Sequence, residues 1–89
     1  MLDLKDLHCF VTVYDSRGFA KAADRLNTVQ SAVSTRIRKL EINIGAALFE
    51  RLHRSIRPTP QGEIMYRYAK RVLADVEDLE TALRGRRVA

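Results

Sequence analysis

The sequence predicts a mainly helical fold: three short amphipathic helices, a short two-stranded hairpin, and one long closing helix. Three observations point to it. Apolar residues recur at spacings of three and four over most of the chain. The pattern is interrupted at Gly18, Asn27-Thr28, Gly45 and Pro58, each a turn or helix-end signal. Between Ala46 and Pro58 the helical period vanishes, and arginines surround a lone Ile56.

In the first helix, Leu4, Leu7, Phe10, Val11 and Tyr14 share one side, which predicts a helix over 4–16 that Gly18 breaks. A second short helix is expected over 19–26, with Ala22, Ala23 and Leu26 inward; small residues there let another helix approach closely. Asn27-Thr28 opens a third helix, along which Val33, Ile37, Leu40 and Ile44 form one apolar stripe. Gly45 stops it, as Gly does at helix C-termini. Leu48-Phe49 is then an apolar anchor for two short strands and a tip. Thr59-Pro60 starts the last helix well, because Thr can cap and Pro is tolerated at the first helical position. That helix is expected to reach about Arg84, with a frayed tail over 84–89. The boundary between a core unit (1–58) and a terminal helix (59–89) falls at this point.

The bulk numbers bound the function. Eighty-nine residues make one domain, and a chain of this size buries only about 60% of its unfolded surface, so a partner chain is a plausible source of further burial. Sixteen Lys and Arg against eleven Asp and Glu give a net charge of +5, which favours a polyanionic partner. The excess is concentrated: residues 1–28 are net neutral, while 29–45 and 46–58 each carry +2. Cys9 is the only cysteine, so no internal disulfide forms, and no apolar run exceeds four residues. Together with an acidic N-terminus unlike an export signal, this suits a cytoplasmic protein with no membrane contact.

No catalytic group emerges. His8, Cys9 and His53 lack zinc-ligand spacing, and there is no Gly-rich phosphate loop or nucleophile elbow. Neither an enzyme nor a cofactor is expected. Cys9 reads as a packing residue and His53 as a surface one.

The third helix carries the most specific chemistry. Opposite its apolar stripe stand Gln30, Ser34 and Arg38 at i, i+4 and i+8, with Ser31 and Thr35 beside them. Gln pairs bidentately with adenine, Arg with guanine, and Ser or Thr with several partners. A helix fits the major groove, and base contacts gather towards its N-terminus. The same pattern also suits an ordinary solvated face. Arg51, Arg54 and Arg57 recur every three residues around the expected hairpin. They suit phosphates or a narrow minor groove, or simply a solubilising loop. Thr28 and Arg36 are further candidates for backbone contact. Two short helices, a turn, a polar-faced helix and an Arg-rich hairpin together describe a winged helix-turn-helix.

At this point the residues resemble a family, the N-terminal domain of LysR-type transcriptional regulators. The likeness runs through Leu4-x-x-Leu7-x-x-Phe10, Gly18-Phe19-x-x-Ala22-Ala23-x-x-Leu26 and Gln30-Ser31-Ala32-Val33-Ser34-x-x-Ile37-x-x-Leu40-Glu41. It continues through Ile44-Gly45-x-x-Leu48-Phe49-x-Arg51, Arg54, Thr59 and Gly62. The resemblance implies binding of duplex DNA at an interrupted inverted repeat in promoters, by a homodimer paired antiparallel through the long helix. It implies base contacts from Gln30, Ser31, Ser34 and Thr35, and a wing carrying Arg51 and Arg54. It also implies a small-molecule effector, sensed by a C-terminal domain that lies outside this chain. Two positions depart from the family pattern. Val29 stands where a capping Ser is common, so Thr28 is expected to cap instead, one residue earlier. Ala20 stands where Ser or Thr is common, so one phosphate contact is expected to be missing.

The closing helix supports pairing independently. Met65, Ala69, Val72, Val76, Leu79 and Leu83 are spaced 4, 3, 4, 3 and 4, a heptad seam. Arg67, Lys70 and Arg71 precede Asp75, Glu77, Asp78 and Glu80, so antiparallel pairing places opposite charges near one another. The alternative is that the seam packs on its own domain. A protein-interaction module and an RNA binder are the rival functions. The first leaves the polar face unexplained; the second lacks exposed aromatics for base stacking.

Overall fold

A computed structural model describes residues 2–85. The elements are α1 (Leu4–Ser16), α2 (Phe19–Arg25), α3 (Gln30–Ile44), β1 (Phe49–Arg51), β2 (Ile56–Pro58) and α4 (Pro60–Gly85). The expected architecture of three helices, a hairpin and a long helix is present. The strands pair antiparallel, with Phe49 opposite Pro58 and Arg51 opposite Ile56. Most of the tail expected to fray, residues 86–89, lies outside the described residues, and Arg84 itself is helical.

The turns are built more tightly than the glycine pattern suggests. Asp3 caps α1 by accepting the Asp6 N–H at 2.8 Å. The helix ends on Arg17, in the left-handed region at φ 59°, one residue before the glycine expected to break it. Its N–H closes on the carbonyls of Val13 and Tyr14. Asn27, at φ 57°, makes the turn into α3, a conformation Asn tolerates. Thr28 does not cap α3. Its N–H is committed to the Ala23 carbonyl at 2.9 Å, finishing α2, and the N-cap of α3 is Val29 with no side-chain bond. Gly45 ends α3 at φ 72°, as expected.

Helices α1, α2 and α3 close around Phe10, Val13, Ala22, Val33, Ile37 and Leu40, and Leu48 joins them from the loop before β1; all are essentially inaccessible. Phe49 docks the hairpin onto this core. Its ring stacks on Phe10 at 5.1 Å and meets the edge of Phe19 at 6.2 Å. Ile44, expected on the inner stripe, is 36% exposed, because the last turn of α3 runs past the helices that cover Val33 to Leu40.

Thr59 fastens the start of α4, as its position before Pro60 predicts. Its hydroxyl donates to the Ala47 carbonyl at 2.6 Å and accepts the Gly62 N–H at 3.0 Å. The first half of α4 then packs along α1. The expected seam is therefore not continuous. Ala69 lies inside the chain's own core, and Met65 packs partly buried against it. Leu73 and Val76 are half-buried, whereas Val72, Leu79 and Leu83 are 40%, 58% and 62% exposed. The physical reason is the size of the domain: the three-helix core needs a fourth wall, and α4 supplies it before running free. The described residues span 54 × 26 × 19 Å, and a 26-residue helix alone is about 39 Å long, so its distal part projects beyond the core.

Candidate nucleic-acid interface

The buried positions of α3 fix what its other side presents. With Val33, Ile37 and Leu40 inside, Gln30, Ser31, Thr35 and Arg38 stand exposed, and Ser34 is half-buried between them. The structure thus brings five sequence-predicted residues onto one polar face. No side chain caps the first N–H groups of α3, so the positive end of the helix dipole opens beside Gln30 and Ser31.

Arg36 is separated from that face. It lies on the flank beside α1, where its guanidinium pairs with Asp6 at 3.0 Å. Thr28 is exposed in the turn before α3.

The three hairpin arginines have three different environments. Arg51 shares its strand face with Phe49 and lies over the ring of Phe19, 4.6 Å from its centroid. The residue as a whole remains exposed. Arg57 is on the opposite face and pairs with Glu50 at 3.0 Å, both largely in solvent. Arg54 is exposed at the tip, in the turn that the Leu52 N–H closes onto the Ser55 carbonyl at 2.9 Å.

Two residues that position the wing carry no role that spacing alone reveals. Glu41, on α3, accepts the backbone N–H groups of Leu48 and Phe49 at 2.8 and 3.4 Å. It ties the polar-faced helix to the first strand. At Gly62, a side chain would overlap the carbonyl of Leu48, so glycine lets α4 sit directly on the segment that enters the hairpin. Lys21 and Arg25 are also exposed on α2, adding positive charge beside α3.

Cys9 is buried, and burial pushes its thiol pKa up; it packs rather than reacts. Among the described residues no group of three His, Cys, Asp or Glu side chains can hold a metal, and no helix is long and apolar enough to cross a membrane.

Comparison with known proteins agrees with this geometry. Residues 4–63 match the model of the bacterial regulatory helix-turn-helix proteins of the lysR family. The chain is 37% identical over 78 residues to the transcriptional regulator BenM of Acinetobacter baylyi, covering 88% of this chain and 26% of BenM. It is 46% identical over 72 residues to the regulator HdfR of Yersinia pestis, covering 81% of this chain and 25% of HdfR. It therefore spans about a quarter of the length of these curated relatives. Its fold is similar to that of the BenM DNA-binding domain crystallised with catB site 1 DNA. There the TM-score is 0.94 at 33% identity, over 99% of each chain. Both relatives are HTH-type transcriptional regulators. The chain belongs to the lysR family of bacterial regulatory helix-turn-helix proteins.

Proposed function

We propose that this chain binds duplex DNA sequence-specifically, as a homodimer at an inverted repeat in promoter DNA, and thereby regulates transcription. The observation that carries the reading is the exposed face of α3, where Gln30, Ser31, Thr35 and Arg38 surround Ser34 on a helix locked from behind. The likeness to a DNA-binding domain crystallised on DNA supports it.

In this reading the five α3 residues face base edges in the major groove. The uncapped start of α3 receives a phosphate, with Thr28 alongside. Arg54 reaches the backbone or the minor groove from the wing tip, with Arg51 and Arg57 at its sides. Arg36, held by Asp6, plays the smaller part. Residues 1–58 form the reading unit, and residues 59–89 hold the pairing helix and tail; the first turns of α4 are built into the reading unit. The exposed Val72, Leu79 and Leu83, continued by half-buried Val76, form the pairing strip. The apolar groove that Leu4, Val11, Leu73 and Val76 help to line lies next to it. Any small-molecule effector acts through the further length found in the relatives.

The test is selection of bound duplexes from a random pool at near-physiological salt. An enriched two-fold symmetric motif supports the reading and supplies the half-site. Binding that fades with salt and enriches no motif would overturn sequence-specific function and mean backbone contacts alone; weak binding with little salt dependence would favour a protein partner.

A further inference from the structure

The junction between α1 and α4 holds a paired arrangement of side chains at the edge of the core. Tyr14 of α1 and Tyr66 of α4 stack with centroids 3.7 Å apart and planes 14° from parallel. Each hydroxyl reaches across to a carboxylate on the other helix. Tyr14 donates to Glu63 Oε1 at 2.6 Å, and Tyr66 donates to Asp15 Oδ1 at 2.7 Å. The guanidinium of Arg17 sits 5.1 Å from the Tyr14 ring, and the Lys70 ammonium 5.8 Å from the Tyr66 ring. From Tyr14 the aromatic contacts continue to Phe10 at 6.3 Å and on to Phe49 of the wing at 5.1 Å.

A single contact between two helices acts as a pivot. A parallel stack with one hydrogen bond crossing in each direction resists both roll of α4 about its axis and swing of α4 against α1. That matters because α4 is a lever. From Tyr66 to Leu83 is about 26 Å of helix, so a swing of about 10° moves the far end by about 4.5 Å, more than one base-pair step of about 3.4 Å. The polar face of α3 is fixed to α1 through the core, and the pairing strip is on distal α4. The Tyr14–Tyr66 junction therefore lies between what reads DNA and what joins two chains.

We infer that the Tyr14–Tyr66 stack, with its bonds to Glu63 and Asp15, sets the direction of α4 and so the half-site separation that the dimer accepts. The four residues are positioning residues. The inference rests on the dimer reading above.

The test uses the full chain and duplexes carrying one or two copies of the half-site selected from the random pool. In the two-copy set the spacer is shortened or lengthened by one and two base pairs. The variants are Tyr14→Phe/Tyr66→Phe, which keeps both rings and removes both donors, and Asp15→Asn, which keeps an acceptor. The double variant is expected to hold single-copy DNA within about twofold of the parent, since the altered groups lie away from α3. It should sediment as a dimer yet discriminate between spacers about fivefold less well, the scale of a lost hydrogen bond. Asp15→Asn should retain the parent's spacer preference. A double variant with unchanged spacer preference overturns the positioning role and leaves the dimer reading intact. Lost affinity for single-copy DNA also overturns it, by showing that the stack maintains the reading unit itself. A parent protein that is monomeric or indifferent to spacer length overturns the dimer reading and this inference together.

Discussion

The carbonyl oxygen of Leu48 occupies the space that a side chain at Gly62 would fill. This contact brings the start of α4 onto the segment leading into the hairpin, where the Thr59 N–H also donates to the same carbonyl at 3.0 Å. In an open helix Gly→Ala stabilises by about 1 kcal/mol. Gly62→Ala should instead destabilise by about 1–3 kcal/mol, because the obstacle is backbone and the helix must shift. Urea unfolding of the parent and the Gly62→Ala variant decides the sign; a variant more stable than the parent would show that the contact is loose.

Arg54 and Arg57 should differ although both are hairpin arginines. Arg54 is exposed at the tip, whereas Arg57 already has Glu50 at 3.0 Å. Arg54→Ala is expected to weaken binding to all sequences and to flatten the dependence of log affinity on log salt by about one. Arg57→Ala should change the slope less, since its charge is partly spoken for within the hairpin. Fluorescence anisotropy across a salt series measures both, and equal slopes for the two variants would contradict this assignment.

The two halves of the α4 seam should respond to different insults. Ala69 is buried in the domain's own core and Leu79 is 58% exposed. Ala69→Leu should lower stability by about 1–3 kcal/mol through overpacking, at protein concentrations where chains are separate. Leu79→Asp should leave that single-chain stability nearly unchanged and abolish association, as read by sedimentation. Loss of folding in Leu79→Asp would place that residue in the core unit instead.

Tyr66 makes the α1–α4 junction sensitive to alkali. Its hydrogen bond to the Asp15 carboxylate, aided by burial and the nearby negative charge, pushes its pKa up from 10.0 to about 12. A group whose folded pKa is raised stabilises fully below its unfolded pKa and loses that contribution as pH rises through the folded one. The window is therefore from about pH 10 to about pH 12. Tyrosinate absorbance should show two tyrosines titrating late, Tyr66 and also Tyr14, whose bond to the Glu63 carboxylate pushes its pKa up. Replacing Asp15 with Ala should bring the titration of Tyr66 down towards the ordinary value.

The helices of this protein were legible because each buries one side. Val33, Ile37 and Leu40 recur at helical spacing along α3, and all three are inside. Once that stripe is inward, helical geometry sends Gln30, Thr35 and Arg38 outward, so the polar face of α3 could be read from spacing alone. The hairpin followed from the loss of helical period between Gly45 and Pro58, and the start of α4 from Thr59-Pro60.

What only the tertiary structure decided depends on contacts between residues distant in the chain. Met65 and Ala69 fit a seam for a second chain and for the domain's own core equally well by spacing. Packing against α1 assigned them to the core and left Val72, Leu79 and Leu83 outside. Arg36 has the sequence environment of a DNA contact, but Asp6, thirty positions away, holds it on the α1 flank. Thr28 is a good capping residue by type, yet the Val29 carbonyl accepts the first bonds of α3, from Ala32 and Val33, which leaves Thr28 one position too early to cap. The reciprocal bonds of Tyr14 and Tyr66 span 49 and 51 positions. Periodicity along one helix records which side is apolar; it holds no information on which neighbour will cover that side, and that choice is made by the packing of the whole chain.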